Sequence, residues 1–162
     1  LNLRVIIHPQ AMGRTRITIE QLLWILVFIL ALGIRMLNLG AEPLSDPEAI
    51  WALQALSIFP GNTYIEPVPA GSQVTYLTLT GLLFSLFGSA NFFARFLPAL
   101  AGGFLCLLPY LFRNRLGRRT ALILGFAFAL DPGLVAISRQ AGSPMPTVVL
   151  SVSWLTMSPS PR

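Results

Sequence analysis

The stretch IEQLLWILVFILALGIRMLNL, residues 19–39, decides the fold. Every side chain from Leu22 to Ile34 is apolar or Gly, and charge enters only at the ends, through Glu20 and Arg35. About 20 residues of helix are needed to cross the hydrocarbon of a bilayer, and this segment supplies them before Gly40 ends it. Arg4, Arg14 and Arg16 precede it and no further Arg occurs until Arg35. The positive-inside rule therefore predicts a cytoplasmic tail over residues 1–18 and an outward exit for the first helix. A basic start, an apolar middle and Ala31-Leu32-Gly33 also fit a cleaved secretory signal. The spanning length and the apolar runs that follow favour a permanent span.

The rest of the chain is as apolar as this segment. Its 162 residues are 54% hydrophobic and 10% charged, and the mean hydropathy is +0.71, too little polar surface to clothe a soluble domain. All 11 basic residues are Arg, giving a net charge of +5. They punctuate apolar runs and line no single polar face, a pattern suited to anionic headgroups and not to nucleic acid. Cys106 is the single cysteine and lies in an apolar run, so no internal disulfide forms. The lone His8, next to Pro9, reads as solvated. The chain opens at Leu1 and closes on Ser158-Pro159-Ser160-Pro161-Arg162 after a short apolar run, which reads as a fragment or a truncated reading frame.

Residues 40–91 read as an outer loop. They hold Glu42, Asp46, Glu48 and Glu66, four of the six acidic residues, together with Pro43, Pro47, Pro60, Pro67 and Pro69. Pro47 suits the first turn of a helix capped by Ser45 or Asp46, with a surface helix over residues 49–58. Residues 74–87 carry Thr75, Thr78, Thr80 and Ser85 and stop at Gly88; at 14 residues they are short for a span and fit an interfacial piece. A second span over residues 92–112 includes Arg95, Pro98 and Pro109. It leads to a basic turn over residues 113–119 with Arg113, Arg115, Arg118 and Arg119. Had residues 74–87 spanned, those Arg would lie outside, so the charge rule lays them on the surface and puts the turn in the cytoplasm. A third span over 120–138, an outer loop over 139–146 and a truncated fourth helix with its tail over 147–162 complete the reading. The expected fold is an all-α polytopic transmembrane bundle in the cell (inner) membrane. It has three full spans plus a truncated fourth, and short surface helices in the first outer loop. Within the third span Ala121, Gly125, Ala129 and Gly133 recur every four residues, a small-residue stripe that invites close approach of another helix, in this chain or beyond its end.

Chemistry concentrates at the outer face. Asp46 and Glu48 stand two apart beside an apolar helix. A carboxylate there accepts a proton from an attacking hydroxyl or sits near a divalent cation, and its architectural reading is a helix N-cap. Arg35, near the outer end of the first helix, needs an anion, either an acidic side chain of the loop or a lipid phosphate, or else snorkels to the headgroups. Arg95 and Arg139 sit at the outer ends of the second and third spans and raise the same question. Asp131 precedes Pro132 in mid-run, where it is either functional or a cap for backbone groups that Pro132 frees. There is no phosphate-cradling Gly loop, zinc spacing or Ser/His/Asp arrangement.

The order of these features carries a resemblance. Arg35, then Leu39-Gly40 and Pro43-Leu44-Ser45-Asp46-Pro47-Glu48-Ala49, are followed by Leu82-Leu83-Phe84-Ser85-Leu86-Phe87-Gly88 and Ala94-Arg95-Phe96-Leu97-Pro98-Ala99-Leu100. Arg115-Leu116-Gly117-Arg118-Arg119 and Ser138-Arg139 close the series. Over roughly residues 35–142 the chain resembles the N-terminal part of the polytopic, GT-C type glycosyltransferases that use polyprenyl-phosphate sugars. That group includes the protein O-mannosyltransferases and the lipid A aminoarabinose transferases. The resemblance implies many membrane helices, a catalytic carboxylate in the acidic first outer loop, and sugar transfer to an acceptor with a lipid phosphate leaving. Carried onto this sequence, it makes Asp46 the general base or metal-proximal acid, with Glu48 supporting, and gives Arg35, Arg95 and Arg139 the donor phosphate. Three departures accompany it. The family's Asp-Glu pair falls on Pro47-Glu48 or on a displaced Asp46 with Glu48. Ser143-Pro144 stands where an acidic residue usually follows the Arg matching Arg139. The chain has no lysine, so phosphate binding falls to Arg. The rival expectations are a small non-enzymatic membrane protein or transporter fragment, and an inactive remnant of the transferase.

Overall fold

The computed structural model describes residues 18–58 and 73–157. His8, Arg4, Arg14, Arg16 and Glu66 lie outside the described residues, as do both termini. Every regular element among the described residues is a helix. In chain order they are α1 (Ile19–Met36), α2 (Asp46–Ser57), α3 (Val74–Phe87), α4 (Asn91–Leu105), α5 (Leu108–Leu111), α6 (Arg113–Leu116), α7 (Arg118–Leu130), α8 (Pro132–Ser138) and α9 (Met145–Met157).

Two segments are long and apolar enough to cross a membrane, Ile19–Met36 with 18 residues and Asn91–Leu111 with 21. The expected third span is not straight. Helices α7 and α8 meet at a 58° bend, and together they make a third span only as a bent pair. The cause is local: Pro132 has no N–H and its ring excludes the carbonyl four residues back, so the helix stops and restarts. Asp131 takes the N-cap position of α8, where its Oδ1 accepts from the Leu134 N–H at 2.7 Å. Helices α3 and α9, at 14 and 13 residues, are shorter than a span.

Helix α1 begins on a capping box, with the Thr18 hydroxyl accepting from the Gln21 N–H and the Gln21 side chain accepting from the Thr18 N–H. Leu22, Ile25, Leu26 and Ile29 are exposed, while Trp24, Val27, Ala31 and Arg35 are buried, so one stripe of α1 faces the protein. The small-residue stripe of α7 is what it meets. Ala121, Gly125 and Ala129 are buried, and a Cβ on Gly125 would stand 2.7 Å from the Trp24 ring. The partner of the stripe is therefore α1, inside this chain, not a helix beyond its end. Gly133 falls off the stripe because the bend turns α8 away, and it is exposed.

Helix α4 runs through the middle, against α1, α3, α8 and α9. It tolerates Pro98 in its interior. The carbonyl that Pro98 leaves unpaired is that of Ala94, and the buried Tyr76 hydroxyl of α3 donates to it at 3.0 Å. Gly102 and Gly103 of α4 let neighbours close in: a Cβ on Gly103 would collide with Leu32 and one on Gly102 with Arg35 and Ser138.

The two ends of the bundle differ in charge. At one end Arg118 lies 3.7 Å from Glu20, so the basic turn and the start of α1 share a face. The end of α1, the start of α4 and the end of α8 gather at the other, with α2.

Candidate functional site

The second end of the bundle is built around Glu48. The spacing Ser45-x-x-Glu48 is a capping box at the start of α2, with the Ser45 N–H at 3.0 Å and its hydroxyl at 2.9 Å both donating to Oε2. Arg95, one turn into α4, grips the same carboxylate side-on, Nε to Oε1 at 2.9 Å and Nη2 to Oε2 at 2.7 Å. The Ala141 N–H, from the loop between α8 and α9, donates to Oε1 at 2.9 Å. One buried carboxylate thus joins the first loop, the central helix and the α8–α9 connection. Burial alone would raise the Glu48 carboxyl, but the donors from Arg95, Ala141 and Ser45 outweigh it and hold it down at about 2.

Arg95 is equally committed. Its Nη1 donates to the carbonyls of Leu39 at 3.2 Å and Glu42 at 3.0 Å, and Nη2 also to that of Pro43 at 3.1 Å. With Nε and Nη2 on Glu48, every N–H of the guanidinium has an acceptor. These bonds fold the segment from Leu39 to Pro43 back over α4. From the other side, the α8–α9 loop seats on α2 at Gly142, whose φ of +76° favours glycine and where a Cβ would run into the Trp51 indole, 2.8 Å from Nε1.

Beside the clamp lies a cleft of about 520 Å³, bordered by Asn38, Glu42, Glu48, Arg95, Arg139 and Gln140 among others. Arg139 is half-buried at its rim and donates one bond, Nη2 to the Leu37 carbonyl at 2.9 Å. Asp46 is exposed in the first turn of α2, two residues from the clamped Glu48. The N-cap role belongs to Ser45, and of the two carboxylates it is Glu48 that meets Arg95, while Asp46 is exposed and does not border the cleft.

Arg35 stands apart from the acidic loop. It is wholly buried and borders no part of the cleft. Its Nε donates to the Ser138 hydroxyl at 3.0 Å, Nη1 to the carbonyls of Ala31 and Ala129 at 3.2 and 3.3 Å, and Nη2 to that of Phe128 at 3.1 Å. No carboxylate of the first loop meets this buried cation; carbonyls at the α7–α8 break hold it, with the charge of Asp131 and the Cys106 thiol nearby.

Among the described residues no three His, Cys, Asp or Glu side chains gather to hold a metal ion, so Asp46 brings no ligand set with it for a divalent cation. Cys106 is a buried free thiol whose Sγ donates to the Gly102 carbonyl. The roles that the sequence left unmarked are those of Ser45 as partner of Glu48, of Ser138 as acceptor for Arg35, and of the Ala141 N–H. Only the first had a signal in the sequence, its three-residue spacing from Glu48.

No family model matches the chain, and neither a curated protein nor a solved structure does.

Proposed function

We propose that this chain supplies the acidic first loop and leading helices of an integral membrane glycosyltransferase, which moves a sugar from a polyprenyl-phosphate carrier to an acceptor at the outer face of the cell membrane. In this reading the chain has three spans and the start of a fourth, α7 and α8 forming one bent span, and the basic end is cytoplasmic. The observation behind the proposal is the division of labour around the clamp: Glu48 is saturated by five donors and fixes the loop, which leaves Asp46 exposed two residues away and Arg139, at the rim of the cleft, with unused donors.

A carboxylate held at about 2 and surrounded by donors is a poor proton acceptor, so the base is Asp46, and Glu48 positions it. Asp46 takes the proton of the acceptor hydroxyl as its oxygen bonds to the anomeric carbon. The bond from that carbon to the phosphate oxygen breaks, and the electron pair leaves with the polyprenyl phosphate. Arg139 faces the charge that grows there. Arg95 has no donor left for the phosphate, and Arg35 is wholly buried with its donors on the protein's own groups.

Transfer from a polyprenyl-phosphate sugar by the full-length gene product in reconstituted membranes tests this. Asp46→Asn abolishes transfer while the protein accumulates in the membrane at the wild-type level, and Arg139→Met weakens it. Transfer at the wild-type rate by Asp46→Asn assigns the loop to architecture alone.

A further inference from the structure

We propose that Arg35 is a positioning residue that replaces, with its guanidinium, the main-chain donor which Pro132 removes at the α7–α8 break, and so holds α8 against α1 and α4 as one wall of the cleft. In an uninterrupted helix the carbonyl of Phe128 would accept from residue 132 and that of Ala129 from residue 133. Residue 132 is proline and has no N–H to give. Arg35 donates to both carbonyls, and with the same guanidinium to Ser138 at the far end of α8. Both sides of the break are thereby tied to the last turn of α1.

Two other observations fit this role. First, the cation has no hydrogen-bonded carboxylate in the structure; three carbonyls and one hydroxyl accept from it, with the Cys106 thiol and the charge of Asp131 nearby, and carbonyl acceptors are what a replacement for backbone donors requires. Second, Gly102 leaves the space. A Cβ there would lie 2.9 Å from Arg35 Nε and would strike Ser138, so α4 is bare where the guanidinium crosses to α8. Pro132, Val135, Ala136 and Arg139, all on or next to α8, border the cleft, so the angle of α8 sets its width. The arrangement repeats at Pro98, whose orphaned carbonyl on Ala94 takes the Tyr76 hydroxyl. This role does not require sugar transfer at the cleft, so a distance measurement tests it separately.

The test places spin labels at the exposed positions Ile29 on α1 and Ile137 on α8 of the full-length protein; the native Cys106 is buried. The wild type gives one narrow distance distribution. Straightening a seven-residue helix through 58° moves its far end by about 10 Å, so Arg35→Met shifts or broadens the distribution by up to that amount. Arg35→Lys, which keeps a cation and donors but not the planar fork, retains part of the native distance. An unchanged, narrow distribution in Arg35→Met overturns the proposal. If Arg35→Met fails to accumulate, the Arg35→Met/Pro132→Ala protein decides. Restoring an N–H for Phe128 returns the protein to the membrane if the role is as proposed, and equal depletion of both variants overturns it.

Discussion

Arg95 and Glu48, 47 residues apart in sequence, form a two-nitrogen, two-oxygen pair with Nη2 to Oε2 at 2.7 Å, and both side chains are about nine-tenths buried. A fork of this geometry is stronger than a single charged hydrogen bond, and its burial removes the screening that makes surface pairs weak. Each partner is also satisfied by neutral groups, so removing one side strands a buried charge among dipoles arranged for a pair.

Arg95→Met therefore destabilises the protein by about 3–5 kcal/mol, the usual cost of orphaning one member of a buried pair. Glu48→Gln costs less, because the amide still accepts from Arg95 and Ala141. In a double-mutant cycle the two changes are non-additive by about 1–3 kcal/mol. Thermal unfolding in detergent of the four proteins measures this, and additive losses would mean the residues act separately.

The same pair sets an acid response. The Glu48 carboxyl lies at about 2 when folded and near 4.5 when not, so the unfolded chain binds this proton first as pH falls. Its contribution is complete above about pH 4.5, declines below that, and is lost as pH falls through about 2. Unfolding midpoints between pH 6 and pH 2 drop more steeply for wild type than for Glu48→Gln. Parallel curves would remove Glu48 as the source.

The Tyr76 hydroxyl bonded to Ala94 yields a rescue experiment. Tyr76→Phe leaves a buried carbonyl without a donor and costs about 1–3 kcal/mol. Adding Pro98→Ala restores an N–H to that carbonyl and recovers part of the loss. If Pro98→Ala harms Tyr76→Phe as much as it harms wild type, the hydroxyl is not compensating for the proline.

Sidedness follows from the charge separation of the two ends. Cysteine at Asp46 and cysteine at Arg115, each placed singly, react with an impermeant thiol reagent from opposite faces of sealed vesicles. Labelling of both from one face would contradict a bundle that crosses the bilayer.

How much of this was legible in the sequence differs from residue to residue. Helices α1 and α4 could be read from apolar length alone, and the Pro47 start of α2 from its turn chemistry, because both signals are local. The bend at Asp131-Pro132 was visible as a break in a run, but its partner was not. Arg35 reaches Phe128 across 93 residues, and no local pattern announces which cation will meet a freed carbonyl. Distance in sequence also hid the pairing of Glu48 with Arg95 and Ala141. Charge patterning gathered Arg35, Arg95 and Arg139 at one face, yet it cannot say which of them is used up by the protein's own carbonyls. That depends on backbone groups, and every residue has those.

The most direct measurement is release of free polyprenyl phosphate from a polyprenyl-phosphate sugar by the full-length gene product in vesicles, with acceptor present, for wild type and Asp46→Asn side by side. Wild type releases it and Asp46→Asn does not, with equal amounts of folded protein in both. Equal release from the two proteins, or none from either across a panel of sugars and acceptors, would contradict Asp46-dependent transfer.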